Sequence, residues 1–525
     1  MVDPVSVVRQ VATGIAERVR GKLSGEHPYH LAALGMLIAL GVGMRAAFLT
    51  STMGYDETYS FFTFASRSLS TALSAYNINN HPLHTLLVHI STRLFGTATW
   101  AVRLPAFLAG VLLIPAAYLV MRRLFNRSVG LLTAALVAAS PLLIKYSTTA
   151  RGYSLVALFY MLTVLVACSL LRGGARKRQW ALFVGLGVLG FYTMPTMLYF
   201  YGGIIAWMLL SVPARDVKTP LAPFLKRLTA ALACTGLLTA LLFMPVIVKN
   251  GLGELAFNVF TRPFPWEAFL EFFPYSMRNT WRLWTRDVPG AVQVILAVGF
   301  LLSIVFHRRV AKYRVNLALV TAAWVLLVIL FQRNDPYARI LLPLLPVFLG
   351  YSCAGLYYAG SRAFAALAEE RRRSPLVQLV FGAAAAGLAA ILCLVIIASQ
   401  AFWKLDELGA RDISMGPDVE RITGYLSGNL KEGDIVVTDD YNKMLFTYYF
   451  MREGIPQQHL YNNALAEGRF DQDRVRRLLL VLDKMNRNYG LAVNAGDLEL
   501  NDGYAGRAVF EGKDAYVLEI PVSGR

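Results

Sequence analysis

The sequence has little charge and lacks the motifs of several soluble enzyme classes. Charged residues make up 16% of the chain, whereas soluble domains contain about a quarter. A Gly-rich phosphate loop, a His-Glu-x-x-His motif and short-period repeats are all missing, which argues against P-loop enzymes, zinc peptidases and solenoids. The few cysteines all lie in apolar runs, so disulfides and zinc sites are not expected: Cys168, Cys234, Cys353 and Cys393.

Long apolar runs take the place of the missing charge. Hydrophobic residues make up 56% of the chain, and the mean hydropathy is +0.48. Because about 20 apolar residues cross a bilayer, the runs predict about eleven transmembrane helices. Pro195 favours two separate spans over one kinked helix between residues 180 and 212. The predicted spans are 31–49, 103–121, 129–145, 152–171, 180–193, 196–212, 229–247, 290–306, 315–331, 340–359 and 376–398.

The orientation follows from Lys and Arg, which cluster in alternate loops and so mark the cytoplasmic side. These loops are 122–127, 172–178, 215–227, 308–314 and 371–373. The net charge of +18 is therefore attributed to topology and not to nucleic-acid binding, and the basic loops are expected to contact anionic membrane lipids. The sequence predicts a multi-pass protein of the bacterial inner membrane, with the N-terminus cytoplasmic and the C-terminus periplasmic.

Three parts are expected along the chain. Residues 1–28 resemble a cytoplasmic amphipathic segment, and residues 29–398 form the mainly α transmembrane domain. Residues 399–525 have no long apolar run and predict a small, soluble α/β domain in the periplasm. In that domain the apolar patterns predict strands at 435–438, 491–493 and 515–520 and a helix at 475–485.

Two outer loops are long. Loop 50–100 contains two predicted helices, from Thr58 and from Pro82. Loop 248–288 is rich in aromatic residues and contains Arg262, Arg278, Arg282 and Arg286. The aromatic residues indicate an anchor at the membrane interface, while the arginines favour a lid over a lipid-linked substrate, and both interpretations stay open.

The pair Asp56-Glu57 follows the first predicted span directly. Carboxylates at the mouth of a span are costly to place and usually functional. Adjacent residues do not share a helix face, so one carboxylate is expected to act as a general base while the other orients groups or binds a cation. The alternative is that Asp56 only N-caps a helix that begins near Thr58.

Three further polar groups are predicted on the same side of the membrane. His81 precedes the Pro82 helix and is placed to meet an anion, or it is an ordinary loop histidine. Arg151 offers a fork for phosphate, or it extends along the membrane to the headgroups. Arg339 enters a later span and needs an anionic partner. A phosphate-bearing ligand with a long apolar tail would suit these cations and the membrane.

These motifs resemble the GT-C membrane glycosyltransferases, in the branch of dolichyl-phosphate-mannose–protein mannosyltransferases and of the bacterial transferases that add aminoarabinose or galacturonic acid to lipopolysaccharide. The resemblance covers most of residues 30–360. It rests on Tyr55-Asp56-Glu57, on His81-Pro82-Leu83-His84, on Ser147 to Tyr153, and on Arg339 ahead of Leu341-Leu342-Pro343. The family's acid in the third motif is replaced here by Thr149, which leaves the role of a divalent cation open.

The resemblance implies an inverting transfer of a sugar from a polyprenyl phosphate to a hydroxyl outside the cytoplasm. The acceptor is an envelope glycan, lipopolysaccharide or a protein. Asp56 and Glu57 are the implied catalytic pair, and His81, Arg151 and Arg339 are the implied phosphate ligands. Further substrate contacts are assigned to Tyr55, His84, Tyr153 and Tyr337. A flippase for lipid-linked sugars and a catalytically decayed accessory subunit are the alternatives.

Overall fold

A computed structural model describes most of the chain. It covers residues 28–75, 77, 79–172, 177–214, 220–256, 263–286, 288–334, 338–367, six positions between 387 and 398, 415, 418–461, 475–484 and 507–521. The predicted amphipathic segment 1–28 lies almost wholly outside the described residues, as do most of the last predicted span and the predicted strand 491–493.

The membrane part is built from helices. In chain order they are α1 (Pro28–Ala46), α2 (Tyr55–Ser60), α3 (Leu69–Ser74), α4 (Pro82–Phe95), α5 (Thr99–Leu124), α6 (Arg127–Ala139), α7 (Pro141–Ser147), α8 (Tyr153–Leu171), α9 (Lys177–Thr193), α10 (Met197–Ser211), α11 (Leu221–Ala256), α12 (Trp266–Thr285), α13 (Gly290–Val305), α14 (His307–Val310), α15 (Leu317–Gln332) and α16 (Leu345–Leu367). A π-helical turn, Phe61–Ala65, follows α2, and a 3-10 helix, Ala338–Leu344, precedes α16.

Several of these helices are long and apolar enough to cross a membrane, so the chain is a multi-pass membrane protein. Among the described residues five helices meet that condition, and the number rises to seven if each of two bent helix pairs is one span. The pair α6–α7 bends by 62°, where Pro141 cannot continue the preceding helix. The predicted count of eleven stays a prediction, whereas the break at Pro195 is confirmed, because α9 ends at Thr193 and α10 begins at Met197.

The basic loops meet at one end of the helix bundle. The Lys312 ammonium donates to the Arg122 carbonyl at 2.9 Å, and the Arg172 guanidinium donates to the Arg123 carbonyl at 3.3 Å. Arg314 likewise donates to the carbonyl of Ala214. Four loops that were predicted to share the cytoplasmic side therefore lie together.

The C-terminal part has the predicted α/β character. It contains α17 (Asp418–Asn429), β1 (Asp434–Val437), α18 (Asp440–Glu453), β2 (Leu460–Tyr461), β3 (Arg477–Asp483), β4 (Arg507–Glu511) and β5 (Ala515–Pro521). The five strands form one sheet in the order β2-β1-β3-β5-β4. Strands β2, β1 and β3 are parallel, and β5 is antiparallel to both β3 and β4. The strands predicted at 435–438 and 515–520 are confirmed as β1 and β5.

The helix predicted at 475–485 is wrong, because this segment is the central strand β3. Leu478 and Leu480 pack in one apolar cluster, while Leu479 and Val481 pack in another on the opposite face of the sheet. A strand buried on both faces has a continuous apolar run. Such a run has no alternation that separates it from a buried helix.

The C-terminal domain packs on the first outer loop. Tyr449 accepts a hydrogen bond from the Met53 amide at 2.8 Å, and the Tyr448 hydroxyl donates to the Thr97 carbonyl at 2.9 Å. Phe61 and Val102 share one buried cluster with these tyrosines. The domain therefore lies on the same side of the bundle as Asp56.

Candidate active site

The acid pair lies in a short helix with a defined start. Helix α2 begins at Tyr55 and Gly54 occupies the N-cap position, while Glu57 reaches back to accept a hydrogen bond from the Gly54 amide at 2.9 Å. This capping box fixes the first turn. The alternative that Asp56 caps a helix from Thr58 is wrong, since Asp56 lies inside the first turn and leaves the cap to its neighbours.

Glu57 is buried in an ion pair with Arg103. Its two oxygens lie 2.9 Å from Nε and 2.8 Å from Nη2 of Arg103, and it also accepts from the Ala150 amide. Burial alone would raise the pKa of Glu57, but the Arg103 charge and these hydrogen bonds hold the pKa below its ordinary value. Glu57 thus joins the first outer loop to the loop that carries Arg151.

Arg103 is a site residue that the sequence reasoning missed. From the first turns of α5 it donates to the carbonyl groups of residues 48, 49, 51 and 52 as well as to Glu57. Arg103 therefore fixes the segment 48–52, which leads to Asp56. A charged residue at the entry of an apolar span was the available signal, because such residues need partners inside the protein.

Asp56 forms an ion pair with Arg339. Arg339 lies in the 3-10 helix Ala338–Leu344, and its Nη1 is 3.2 Å from Oδ2 of Asp56. Both side chains are about one-third exposed, at 31% for Asp56 and 36% for Arg339. Residues 283 positions apart in the sequence therefore form an ion pair in the fold. Asp56, unlike Glu57, is accessible to a ligand.

Arg151 is buried beside the loop that precedes α4. Its Nη1 donates to the Ser60 hydroxyl and to the Asn79 carbonyl, both at 2.7 Å. Its Nη2 lies 3.4 Å from Nε2 of His81. The Nε–H of Arg151 is buried and has no hydrogen-bond partner among the described residues. A buried donor without an acceptor is costly, and it suits a ligand that brings an anionic oxygen.

His81 is neutral in this setting. Burial, reinforced by the charge of Arg151, holds the pKa of His81 well below its ordinary value. Its Nδ1 accepts from the Gly152 amide at 2.8 Å, so the single ring proton of the neutral imidazole lies on Nε2. His81 therefore presents an N–H donor next to Arg151 and not a second positive charge.

One cavity of about 470 Å³ brings most of the predicted groups together. Asp56, Arg151 and Arg339 all line it, and so do the rings of Tyr55 and Tyr153. His81, a predicted phosphate ligand, lies behind Arg151 and is not among the described residues that line this cavity. Two predicted substrate contacts are also missing from the described lining.

His84 is buried and does not belong to the described lining. Burial lowers the pKa of His84 to about 3, so this side chain is neutral too. Tyr337 lies outside the described residues.

Lys145 is a second site residue that the sequence reasoning did not single out. It lines the cavity from the last turns of α7, and it adds a third cation to Arg151 and Arg339. The neighbouring Thr149, which replaces the family's acid, donates its hydroxyl to the Lys145 carbonyl at 2.8 Å. Among the described residues no group of three His, Cys, Asp or Glu side chains could hold a metal ion. The donor set on the cavity wall therefore does not fit a protein-held divalent cation.

The aromatic outer loop contains helix α12. The segment before this helix is tied to the end of α15, because the Phe264 amide donates to the Arg333 carbonyl at 2.8 Å. Phe269 is buried, while Trp266 and Leu270 are exposed, and the helix packs against the 3-10 helix that carries Arg339. Exposed aromatic residues and proximity to Arg339 agree with an anchor and with a lid, so both interpretations stay predictions.

Comparison with known proteins gives a partial family match. Residues 79–248 match the family described as dolichyl-phosphate-mannose-protein mannosyltransferase. This segment, which is less than half of the chain, contains His81, Lys145 and Arg151 but neither Asp56 nor Arg339. A search of curated protein sequences finds no match.

Solved structures match over almost the whole chain. ArnT from Cupriavidus metallidurans bound to undecaprenyl phosphate has a TM-score of 0.59 at 12% identity, and the match covers 93% of this chain and 98% of that one. The apo form of the same enzyme gives 0.54 at 13% identity, covering 92% and 97%.

The archaeal oligosaccharyltransferase AglB from Archaeoglobus fulgidus, in complex with an inhibitory peptide and a dolichol-phosphate, gives 0.51 at 13% identity, covering 91% and 72%. At these identities the likeness concerns the fold. The resemblance seen in the motifs is thus confirmed at that level: the chain has the fold of the GT-C superfamily of membrane glycosyltransferases and resembles ArnT.

Proposed function

We propose that this protein is an inverting glycosyltransferase of the bacterial inner membrane. It moves a sugar from a polyprenyl-phosphate donor to a hydroxyl group of an envelope acceptor on the periplasmic side. The observation that carries the proposal is one cavity lined by an accessible carboxylate, Asp56, and by three cations, Lys145, Arg151 and Arg339. The GT-C fold supports it, as do the polyprenyl-phosphate-type lipids, undecaprenyl phosphate and dolichol-phosphate, in the matched structures of ArnT and AglB.

The three cations suit the phosphate of the donor. A leaving phosphate gains negative charge as its bond to the sugar breaks, and cations fixed in advance stabilise that charge. Arg151 contributes its buried Nε–H. The Nε2–H of His81 lies 3.4 Å from Nη2 of the same arginine, a spacing at which two donors can share one phosphate oxygen. The phosphate role predicted for His81 thus becomes that of a neutral donor.

Asp56 is proposed as the general base. The acceptor oxygen attacks the anomeric carbon on the face opposite the phosphate, its proton passes to Asp56, and the bond from carbon to phosphate oxygen breaks with its electron pair. This sequence inverts the anomeric centre and balances charge and protons. Glu57 serves differently, since its carboxylate is engaged by Arg103 and by two backbone amides, and it positions the loop that carries Asp56.

The ion pair between Asp56 and Arg339 links donor binding to catalysis. The Arg339 guanidinium lies 3.2 Å from the Asp56 carboxylate. The singly charged phosphodiester of the donor competes for Arg339 in the same cavity, because an arginine can bind phosphate oxygens through two charge-assisted bonds. Movement of Arg339 toward the phosphate would release Asp56 for the acceptor proton.

The direct test compares envelope glycolipids from cells with and without the gene, measured by mass spectrometry. We expect loss of one sugar residue from an envelope glycan in the deletion strain, restored by wild type and not by Asp56→Asn. Glu267→Gln is the matched control, because Glu267 is an exposed acid on α12 away from the cavity. Full restoration by Asp56→Asn, produced at the wild-type level, would remove Asp56 as the base.

A further inference from the structure

The C-terminal domain contributes an aromatic side chain to the cavity. Tyr441 lies in the first turn of α18, and its ring stacks on that of Tyr55 with centroids 4.1 Å apart and planes 11° from parallel. Tyr441 is 39% exposed and lines the same cavity as Asp56. The wall next to the acid is therefore shared between two domains.

The stack of Tyr441 on Tyr55 is not needed to hold the two domains together. Tyr448 and Tyr449 on the same helix are fully buried and hydrogen-bond the first outer loop, so they already hold the two domains together. The start of α18 is also fixed, because Asp439 accepts from the Asn442 amide at 2.7 Å. Tyr441 thus extends from a capped helix end, and part of its side chain is exposed where it lines the cavity.

Carboxylates flank the stacked rings. Asp56 directly follows Tyr55 and Asp440 directly precedes Tyr441 in the sequence, so each stacked ring has an acid as its neighbour. Burial, together with the nearby Tyr59, Asp56 and Asp440, raises the pKa of Tyr55. Asp440 is exposed. A pyranose has an apolar face of C–H groups and a rim of hydroxyl groups. An aromatic face with carboxylates beside it complements both features.

We propose that Tyr441, Tyr55 and Asp440 form an acceptor subsite that binds a sugar ring, so that the acceptor is a glycan. This inference rests on the proposed glycosyl transfer. The donor phosphate is assigned to cations from the α7–α8 region and the 3-10 helix, and attack must come from the other side of the anomeric carbon. The acceptor is therefore placed on the side of Asp56 that the cations do not occupy, where Tyr55 and Tyr441 lie. The open surface of Tyr441 carries the sugar, and Asp440 accepts from its hydroxyl groups.

The test measures binding without catalysis. Saturation-transfer NMR is recorded on the full chain in nanodiscs with methyl glycosides of glucose, galactose and mannose, with sorbitol as a polyol without a ring, and with N-acetyl-threonine amide as a peptide-like hydroxyl. We expect saturation of ring protons for at least one glycoside and weaker signals for the other two probes. Tyr441→Ala should weaken glycoside binding about tenfold, a loss of the size that an aromatic contact contributes. Tyr441→Trp should retain binding.

The control is Met451→Ala, at the other end of α18 and similarly exposed at 36%, which should bind like wild type. Absence of glycoside binding in wild type, equal binding by Tyr441→Ala, or equal signals from the threonine probe would each overturn the subsite. The mass spectrometry of envelope glycolipids described above measures sugar transfer and separates the subsite proposal from the proposed function. Glycoside binding through Tyr441 without any detectable transfer would refute the proposed function alone, whereas undiminished transfer by Tyr441→Ala would refute the subsite alone.

Discussion

Replacement of Arg103 by Met should destabilise the protein severely. The change removes both charge-assisted bonds to Glu57 and leaves that carboxylate, which is 3% exposed, with only the amides of Gly54 and Ala150. It also removes the donors to four carbonyl groups between residues 48 and 52. Removal of one partner of a buried ion pair costs about 3–5 kcal/mol, so we expect the free energy of unfolding to fall by about that amount.

The assay is unfolding by sodium dodecyl sulfate, followed for wild type, Arg103→Met and the double variant Glu57→Leu/Arg103→Met. The double variant should recover part of the loss, since no unpaired charge is then buried. Arg452→Met is the control, because its pairs with Glu420 at 3.7 Å and Glu453 at 3.1 Å are partly exposed at both ends, and each such pair contributes at most about 1 kcal/mol. Its guanidinium also lies 4.8 Å from the centre of the Tyr449 ring, a contact of about 0.5–1 kcal/mol at an exposed site. Equal stability of Arg103→Met and wild type, or no recovery in the double variant, would refute the argument.

The same pair predicts the effect of acid. The pKa of Glu57 is lower in the folded protein than its ordinary value. Its contribution to stability is therefore complete above the ordinary carboxyl pKa of about 4.3, and it is lost as the pH falls through the lower folded value. Wild type should lose stability more steeply below about pH 4 than Glu57→Leu/Arg103→Met, and parallel losses would contradict the assignment.

Three further outcomes are expected. Arg151→Lys should lower kcat/KM for the lipid donor at least about tenfold, because a point charge does not replace the fork, and a change confined to the acceptor KM would contradict this. His81→Gln should lower the rate of transfer without changing the shape of the pH–rate profile between about pH 6 and 8. The reason is that His81 stays neutral in this range. A basic limb that is present in wild type and disappears in His81→Gln would show that His81 titrates. Single cysteines at Gly253, Arg308 and Glu432, in a background without native cysteines, should label outside, inside and outside, and a cytoplasmic Glu432 would overturn the topology.

The sequence predicts those site residues that can be recognised from their residue type and from their position at the end of a predicted span. Asp56, Arg151 and Arg339 follow from carboxylates and arginines at span ends, and they do line one cavity. Glu57 shows the limit of such reasoning. Its neighbour Asp56 has the same chemistry in the sequence, but only the fold shows that Arg103 engages one carboxylate and leaves the other accessible.

Two further differences have similar causes. Lys145 is the last residue of the predicted span 129–145, and the bend before α7 places its side chain on the cavity wall. The sequence predicts a helix in place of strand β3, because Leu478 to Val481 are apolar without alternation. The segment is a strand because it pairs with β1 on one side and with β5 on the other. Both errors concern contacts between segments distant in the sequence, which local periodicity does not contain.

The ion pair between Asp56 and Arg339 ties the site to the number of membrane crossings. Asp56 and Arg339 meet at 3.2 Å, so the chain must cross the membrane an even number of times between them. In the predicted topology the break at Pro195 supplies one of these crossings, because it separates α9 from α10. A single helix over residues 180–212 would move Arg339 to the opposite surface, about 30 Å from Asp56 across the hydrocarbon core. The eleven-span prediction therefore needs this break to bring Arg339 and Asp56 to the same side of the membrane.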